Sequence, residues 1–256
     1  MELKEYIPTA ALKPYIRSFR IIESRSEVVN RVVPNTSFAL AFRLKGSIAY
    51  INGEQKVELP SAAFSGLRRS VRLISYNADS AALIVLFTET GISAFFKEPL
   101  HELFEQSISL DHVLRQSEVQ MIEERLADTG TNAERIKIVE RFLLSKLIRN
   151  DADKLVQSAV ADIYANNGML KIKELSEKLY ISQDAFEKRF RKTIGTSPKQ
   201  FASIIRLKSI TQKAAPTSLL DVAIENGYYD QAHFIKDFKL FTGLTPREFY
   251  RSGLFW

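Results

Sequence analysis

The C-terminal part of this chain repeats itself. Phe186-Glu-Lys-Arg-Phe190-Arg191 aligns with Phe234-Ile-Lys-Asp-Phe238-Lys239 at an offset of 48, and Gly195, Ser197, Pro198 and Phe201 align with Gly243, Thr245, Pro246 and Phe249 at the same offset. A register kept by aromatic, glycine and proline positions together means one structural unit built twice. Each residue type fixes a local role. Ser182 and Asp230, also 48 apart, carry short acceptors suited to the free N–H groups that open a helix. Gly195 and Gly243 suit the left-handed residue that ends one. Ser197-Pro198 and Thr245-Pro246 suit the next start, where the missing proline N–H has no partner to lose. A short apolar segment precedes each capped helix: Ile172, Leu175, Ser176 and Leu179 before Ser182, then Leu220, Val222, Ala223 and Ile224 before Asp230. Two helices joined by a turn of about three or four residues make a helix-turn-helix, so the spacing predicts two of them.

On the second helix of the first unit, Ala185, Phe186 and Phe190 are expected to point inward, and Gln183, Asp184, Glu187, Lys188 and Arg191 share the opposite face at steps of three and four. In the second unit Phe234 and Phe238 point inward, leaving Gln231, Ala232, Ile235, Lys236 and Lys239 outward. Amide and cationic side chains on a helix in the major groove can bond base edges or phosphates. A single solvated surface helix would look the same, but two copies in register on the basic part of the chain favour a polyanionic partner. Of the net +6, residues 1–154 carry 21 basic against 20 acidic side chains, whereas residues 155–256 carry 15 against 10. The stretch 168–213 alone holds 11 basic and 4 acidic residues.

Residues from about 155 to 251 resemble the DNA-binding domain of the AraC/XylS family of bacterial transcription regulators. The stretch Ser218-Leu-Leu-Asp-Val-Ala-Ile-Glu-Asn-Gly227-Tyr-Tyr-Asp-Gln231-Ala-His-Phe234-Ile-Lys-Asp-Phe238-Lys239-Leu-Phe-Thr-Gly243-Leu-Thr-Pro246 is similar to its signature nearly position by position. The resemblance implies seven helices holding two helix-turn-helix units, one of the seven being a longer linker helix over about 198–213. At 1.5 Å per residue that linker is a strut of about 22 Å, on the scale needed to reach major-groove turns about 34 Å apart. The chain departs from the family pattern at Tyr180, a turn position where family members often carry a small residue. Asp184 and Glu187 repel phosphate, and Ala232 and Ile235 offer few hydrogen-bonding groups.

The N-terminal half has a different period. Phe38, Leu40, Phe42 and Leu44 alternate with smaller or polar residues, Lys45-Gly46-Ser47 reads as a hairpin turn before Ile48–Ile51, and Asn52-Gly53 reads as another. Leu59-Pro60-Ser61 and Tyr76–Asp79 punctuate further runs before Leu83–Phe87. Short strands at this spacing suggest a small barrel or sandwich. Helical periods follow: Val119, Ile122 and Leu126 after a Ser117/Gln120 capping box, then Ile136, Val139, Leu143 and Leu147 over 133–149 with Asn132 as cap. That stripe can pack on its own domain or form a dimer seam. The family order implies a cupin-like effector barrel, dimerisation helices and then the reader, and Leu12-Lys-Pro-Tyr-Ile16 and Val33-Pro34 resemble a subset of such sensor domains. The expected class is α+β: a β-rich sensor over 1–110, a small cupin-like β-barrel; a helical segment over 111–150; and an all-α double helix-turn-helix domain over 151–256, with the boundary at Asn150–Asp153. Phe38, Phe42 and Tyr50 would line a cavity in the barrel, or pack its core.

Several chemistries are excluded or left without candidates. With no cysteine, disulfide scaffolds, thiolate zinc sites and cysteine nucleophiles are excluded. His101, His112 and His233 lie far apart, unlike the close pairs of a metal centre, and no phosphate-cradling glycine motif or GxSxG elbow is present. No apolar run approaches the roughly 20 residues that span a bilayer, and an acidic start without a basic-then-apolar order points to the cytoplasm, at the bacterial nucleoid. We therefore expect a sequence-specific regulator, not an enzyme, with no catalytic residue, metal or cofactor. Its expected partners are double-stranded DNA, a second copy of the chain, a small-molecule effector and RNA polymerase, with no membrane. The rivals are an interaction module that has lost DNA binding, and an enzyme fused to a DNA reader, which would need an acceptor cysteine or a histidine cluster.

Overall fold

The computed structural model describes residues 1–96, 99–148 and 153–252. The chain divides into two compact units, one of residues 1–30, 37–66 and 73–153 and one of residues 31–36, 67–72 and 154 onward. Asn150–Ala152, where the sequence places the boundary, lie outside the described residues.

The described strands are β1 (Glu2–Tyr6), β2 (Ile16–Ser24), β3 (Val28–Val32), β4 (Ala39–Lys45), β5 (Ile48–Asn52), β6 (Gln55–Glu58), β7 (Ala62–Ser65), β8 (Arg72–Tyr76), β9 (Ser80–Phe87) and β10 (Ser107–Ser109). They form two open sheets, in the orders β1-β2-β9-β4-β7-β10 and β3-β8-β5-β6. The apolar run of β9 sits centrally between β2 and β4, as a strand covered on both faces should. Closure into a barrel, expected from the strand spacing, does not occur. The edges themselves show why: β1 carries Glu2, Lys4 and Glu5 and β6 carries Gln55, Lys56 and Glu58, exposed charged and polar side chains of the kind that keep an edge unpaired, whereas a barrel has no edge. Nor is Lys45-Gly46-Ser47 a hairpin. It carries the chain from β4 in one sheet to β5 in the other. The Asn52-Gly53 turn does form, pairing Asn52 with Gln55 around Gly53 at φ +61.

Ile22 and Ala82 of the larger sheet pack against Ile48 and Tyr76 of the smaller. Phe38, Phe64, Phe87, Phe95 and Phe96 form a chain of ring contacts with centroids 5.2–6.5 Å apart. Helices α1 (Gln116–Ala127) and α2 (Asn132–Lys146) follow. Their starts differ from expectation. Arg115 occupies the N-cap of α1 without a side-chain bond, so Ser117 lies inside the helix, and Thr131 rather than Asn132 caps α2 by accepting from Glu134 N–H. Of that stripe, Ile136, Val139 and Leu143 are buried within the single chain and Leu147 is half-buried. Glu140, on the same helix, accepts from Thr9 N–H at 2.7 Å, and Asn132 donates to Glu23 on β2.

The second unit contains α3 (Lys154–Ala165), α4 (Ile172–Lys178), α5 (Gln183–Ile194), α6 (Pro198–Thr211), α7 (Leu219–Glu225), α8 (Gln231–Thr242) and α9 (Pro246–Ser252). Its aromatic core is strung along α6. Phe186 meets Phe190, and Phe190 meets Phe201 of α6 edge-on at 5.5 Å. Further along α6, Ile204, Leu207 and Ile210 join Phe234, Phe238, Phe241 and Phe249 in a second cluster. Before α4, Gly168 lies against α6: at φ +73, an added Cβ would lie 2.1 Å from the Ala202 carbonyl oxygen. Among the described residues no helix is long and apolar enough to cross a membrane.

Two stability outcomes follow. Phe234→Ala should cost about 3–5 kcal/mol, because a fully buried ring leaves a cavity that its neighbours only partly fill. Gly168→Ala should cost about 2–5 kcal/mol, from strain at positive φ and the forced parting of the backbones. Denaturant unfolding measures both, and a midpoint unmoved in either variant would contradict this packing.

Candidate nucleic-acid interface

The two turns that aim α5 and α8 use the same backbone bonds. After α4, Tyr180 N–H donates to Glu177 O at 3.0 Å and Ile181 N–H to Ser176 O at 3.1 Å; after α7, Gly227 N–H donates to Ile224 O at 3.0 Å and Tyr228 N–H to Ala223 O at 2.9 Å. These pairs are 47 residues apart, whereas the capped helices that follow are 48 apart. The second turn therefore holds one extra residue, Tyr229, which the alignment of the longer helices did not reveal. The small buried pair Ser176 and Ala223 is the sequence signal that locates the shift. Ser182 Oγ then accepts from Ala185 N–H and Asp230 Oδ1 from His233 N–H, and Gly195 and Gly243 end the helices at φ +82 and +76. Both helices thus start and stop where the sequence places them.

The faces match expectation with two exceptions. Phe186, Phe190, Phe234 and Phe238 are buried. Gln183, Asp184, Lys188, Arg191, Ala232, Lys236 and Lys239 are exposed, and Glu187 and Gln231 are half-exposed. Ala185, expected inward, is exposed, since it lies a helical step from Phe186 in the first turn. Ile235, expected outward, is half-buried and packs on the second cluster, because it is three residues from Phe238 and shares the margin of its stripe.

Charge on α5 is ordered along the helix. Gln183 Nε2 donates to Glu187 Oε1 at 3.1 Å, and Arg191 stands 3.8 Å from Glu187 Oε2, a ladder with one carboxylate between two donors. On α8, His233 stands 3.6 Å from Asp237, while Lys236 and Lys239 are exposed. The first face is thus mixed in charge, and the second is amide, apolar and cationic.

In the other unit, Phe38 and Phe42 are fully buried, with Phe38 stacked on Phe64 at 5.8 Å. Tyr50 is half-buried, its hydroxyl donating to Ser107 Oγ at 2.9 Å, and Ser107 meets Ser65 at 2.6 Å. Nearby, burial pushes the Tyr76 phenol up to about 12.

Known proteins resemble the chain in two separate stretches. A helix-turn-helix domain family matches residues 175–252, and a domain of unknown function (DUF6597) matches residues 4–109. An uncharacterized HTH-type transcriptional regulator of Haemophilus influenzae is 36% identical over 83 residues, 32% of this chain and 28% of that protein. The HTH-type transcriptional regulator MtrA of Neisseria gonorrhoeae is 32% identical over 75 residues, 28% of this chain and 25% of MtrA. The chain thus spans about a quarter of the length of these curated relatives. Among solved structures, ToxT of Vibrio cholerae aligns over 98% of both chains at a TM-score of 0.45 and 8% identity.

One residue stands out in the first turn. Tyr180 holds the left-handed position at φ +53 that Gly227 fills in the second, and its side chain is 98% exposed. A left-handed non-glycine residue costs about 1–2 kcal/mol, and glycine returns part of that gain as unfolded-chain entropy. Tyr180→Gly should therefore raise stability by about 0.5–1 kcal/mol in thermal unfolding; a fall would mean that the phenol makes a stabilising contact.

Proposed function

The C-terminal domain of this chain belongs to the AraC/XylS family of helix-turn-helix regulators, and from that premise we propose that the protein binds specific double-stranded DNA and regulates transcription. The observation that carries the reading is the pair of helix-turn-helix units, each with an exposed polar face, built onto one helix in the basic part of the chain. Helix α6 is 14 residues long, about 21 Å at 1.5 Å per residue, a rigid spacer between readers of successive major grooves.

Within this reading, Gln183 and Gln231 are placed in the first turns of α5 and α8, where a recognition helix meets base edges. Lys188, Arg191, Lys236 and Lys239 supply charge for phosphates or guanine. Ala232 and Ile235 leave room for apolar contact with thymine methyls. Asp184 and Glu187 set a repulsive background that restrains binding to unrelated sequence. The N-terminal unit senses a small molecule or mediates self-association as a homodimer. A cupin-like effector site there would involve Phe38, Phe42 and Tyr50, and an effector reaching the two buried rings must displace their packing. RNA polymerase is the further partner at a promoter, and the site of action is the cytoplasmic nucleoid. We assign no catalytic role to the chain.

Selection of bound sequences from random DNA by the full chain, with and without a metabolite panel, tests the reading; recovery of no preferred sequence would defeat it. On the selected site, Gln231→Ala should lose about 1–3 kcal/mol, and little on random DNA, because an amide that pairs with adenine N6 and N7 serves one base only. Lys236→Ala should weaken both classes of DNA alike and lower the salt slope by about one, as expected for a phosphate contact. Equal losses on both DNAs for Gln231→Ala would remove it from base reading.

A further inference from the structure

Helix α6 holds the second reading helix by two kinds of contact. The larger is apolar: Ile204, Leu207 and Ile210 against Phe234, Phe238 and Phe241. Such burial fixes which face of α8 turns inward, but it follows area, and a small roll of one helix on the other changes that area little. The covalent link from α6 to α7, residues 212–218, is largely exposed and adds little constraint.

A directional contact is made by Arg206. Its guanidinium lies 4.4 Å over the Tyr228 ring, and Nη1 donates to the Asn226 carbonyl at 3.4 Å. Both partners belong to the turn between α7 and α8. Asn226 is buried and donates to Val222 O at 2.8 Å, and Tyr228 meets Phe234 at 5.3 Å, so the turn cannot shift without moving α8. A planar group that stacks by its face and donates along its edge fixes an angle as well as a distance. In the first turn the place of Tyr228 is taken by Ile181, which offers no aromatic ring.

The contact is poorly arranged for stability alone. Arg206 Nε and the Tyr228 hydroxyl are buried with no well-aligned hydrogen-bond partner among the described residues, and burial still dominates at the Tyr228 phenol although Arg206 acts on it and opposes the shift. Leaving buried polar atoms unpaired is costly, and an apolar side chain of similar length would avoid that cost. We infer that Arg206 is a positioning residue: it sets the rotation of α8 relative to α5, and through it the number of base pairs the protein requires between the two halves of its DNA site. The inference rests on the DNA-binding reading above and adds a determinant of spacing to it.

The test uses the full chain, its selected site, and versions of that site with one or two base pairs inserted or deleted between the halves. One base pair turns the second half by roughly 35°, so the wild type should lose about 100-fold in affinity for each altered site. Arg206→Met should keep the wild-type melting temperature or exceed it, bind the selected site about tenfold more weakly, and discriminate against altered spacing by only about tenfold, because α8 can then roll on its apolar contact. Arg206→Lys should relax spacing likewise, since an ammonium keeps the charge but has no plane. Should Arg206→Met fail to fold, Tyr228→Leu, which removes the ring and keeps apolar bulk, must show the same relaxation. A loss of affinity by one common factor at every spacing, or discrimination equal to the wild type's, overturns the inference. A wild type that selects a site but tolerates every spacing overturns it too and leaves DNA binding intact, whereas a wild type that selects no site defeats the underlying reading.

Discussion

The helical unit depends on one helix belonging to two cores. Phe201 near the start of α6 closes the aromatic cluster under α5, and Ile204, Leu207 and Ile210 close the cluster under α8. A short helix in water is marginal by itself, so neither α5 nor α8 would hold its direction without an apolar face to lie on. Because both lie on the same helix, their separation follows from the rise per residue. The close approach at Gly168 and the Arg206 contact with the second turn add direction to that support.

Edges govern the β-rich unit. Its central strands, β2, β9 and β4, form antiparallel ladders with apolar faces, each with one register shift, at Ile16/Ser18 and at Arg43/Lys45, and the polar strands β1 and β6 stop each sheet from extending. Helix α2 places Ile136, Val139 and Leu143 of its apolar stripe in the interior of the single chain.

The reading faces illustrate how local electrostatics qualifies a net charge. The basic excess of the C-terminal part would favour any polyanion, but on α5 the Glu187 carboxylate lies between Gln183 and Arg191 and ties both down. Such exposed pairs are worth little to stability, so they can be exchanged for contacts with a ligand at small cost. On α8, Lys236 and Lys239 are in no such hydrogen-bonded ladder among the described residues, though Lys239 acts on Glu248 at longer range.

The sequence alone determined the units that local chemistry specifies: Ser182 and Asp230 as caps, Gly195 and Gly243 as stops, prolines at the next starts, and phenylalanines at helical spacing facing inward. Each of these depends on groups within a few residues of one another, so pattern is enough to read them. What lay beyond pattern needed partners distant in the chain. Sheet closure depends on which strands meet at the edges. The side of Ala185 and Ile235 depends on how far the core reaches around a helix. The extra residue Tyr229 is marked by the backbone bonds of the two turns, with only the small pair Ser176 and Ala223 hinting at it in the sequence. The Arg206 contact joins a helix to a turn 20 residues further on, a pairing that only the packing of α6 against the second unit brings about.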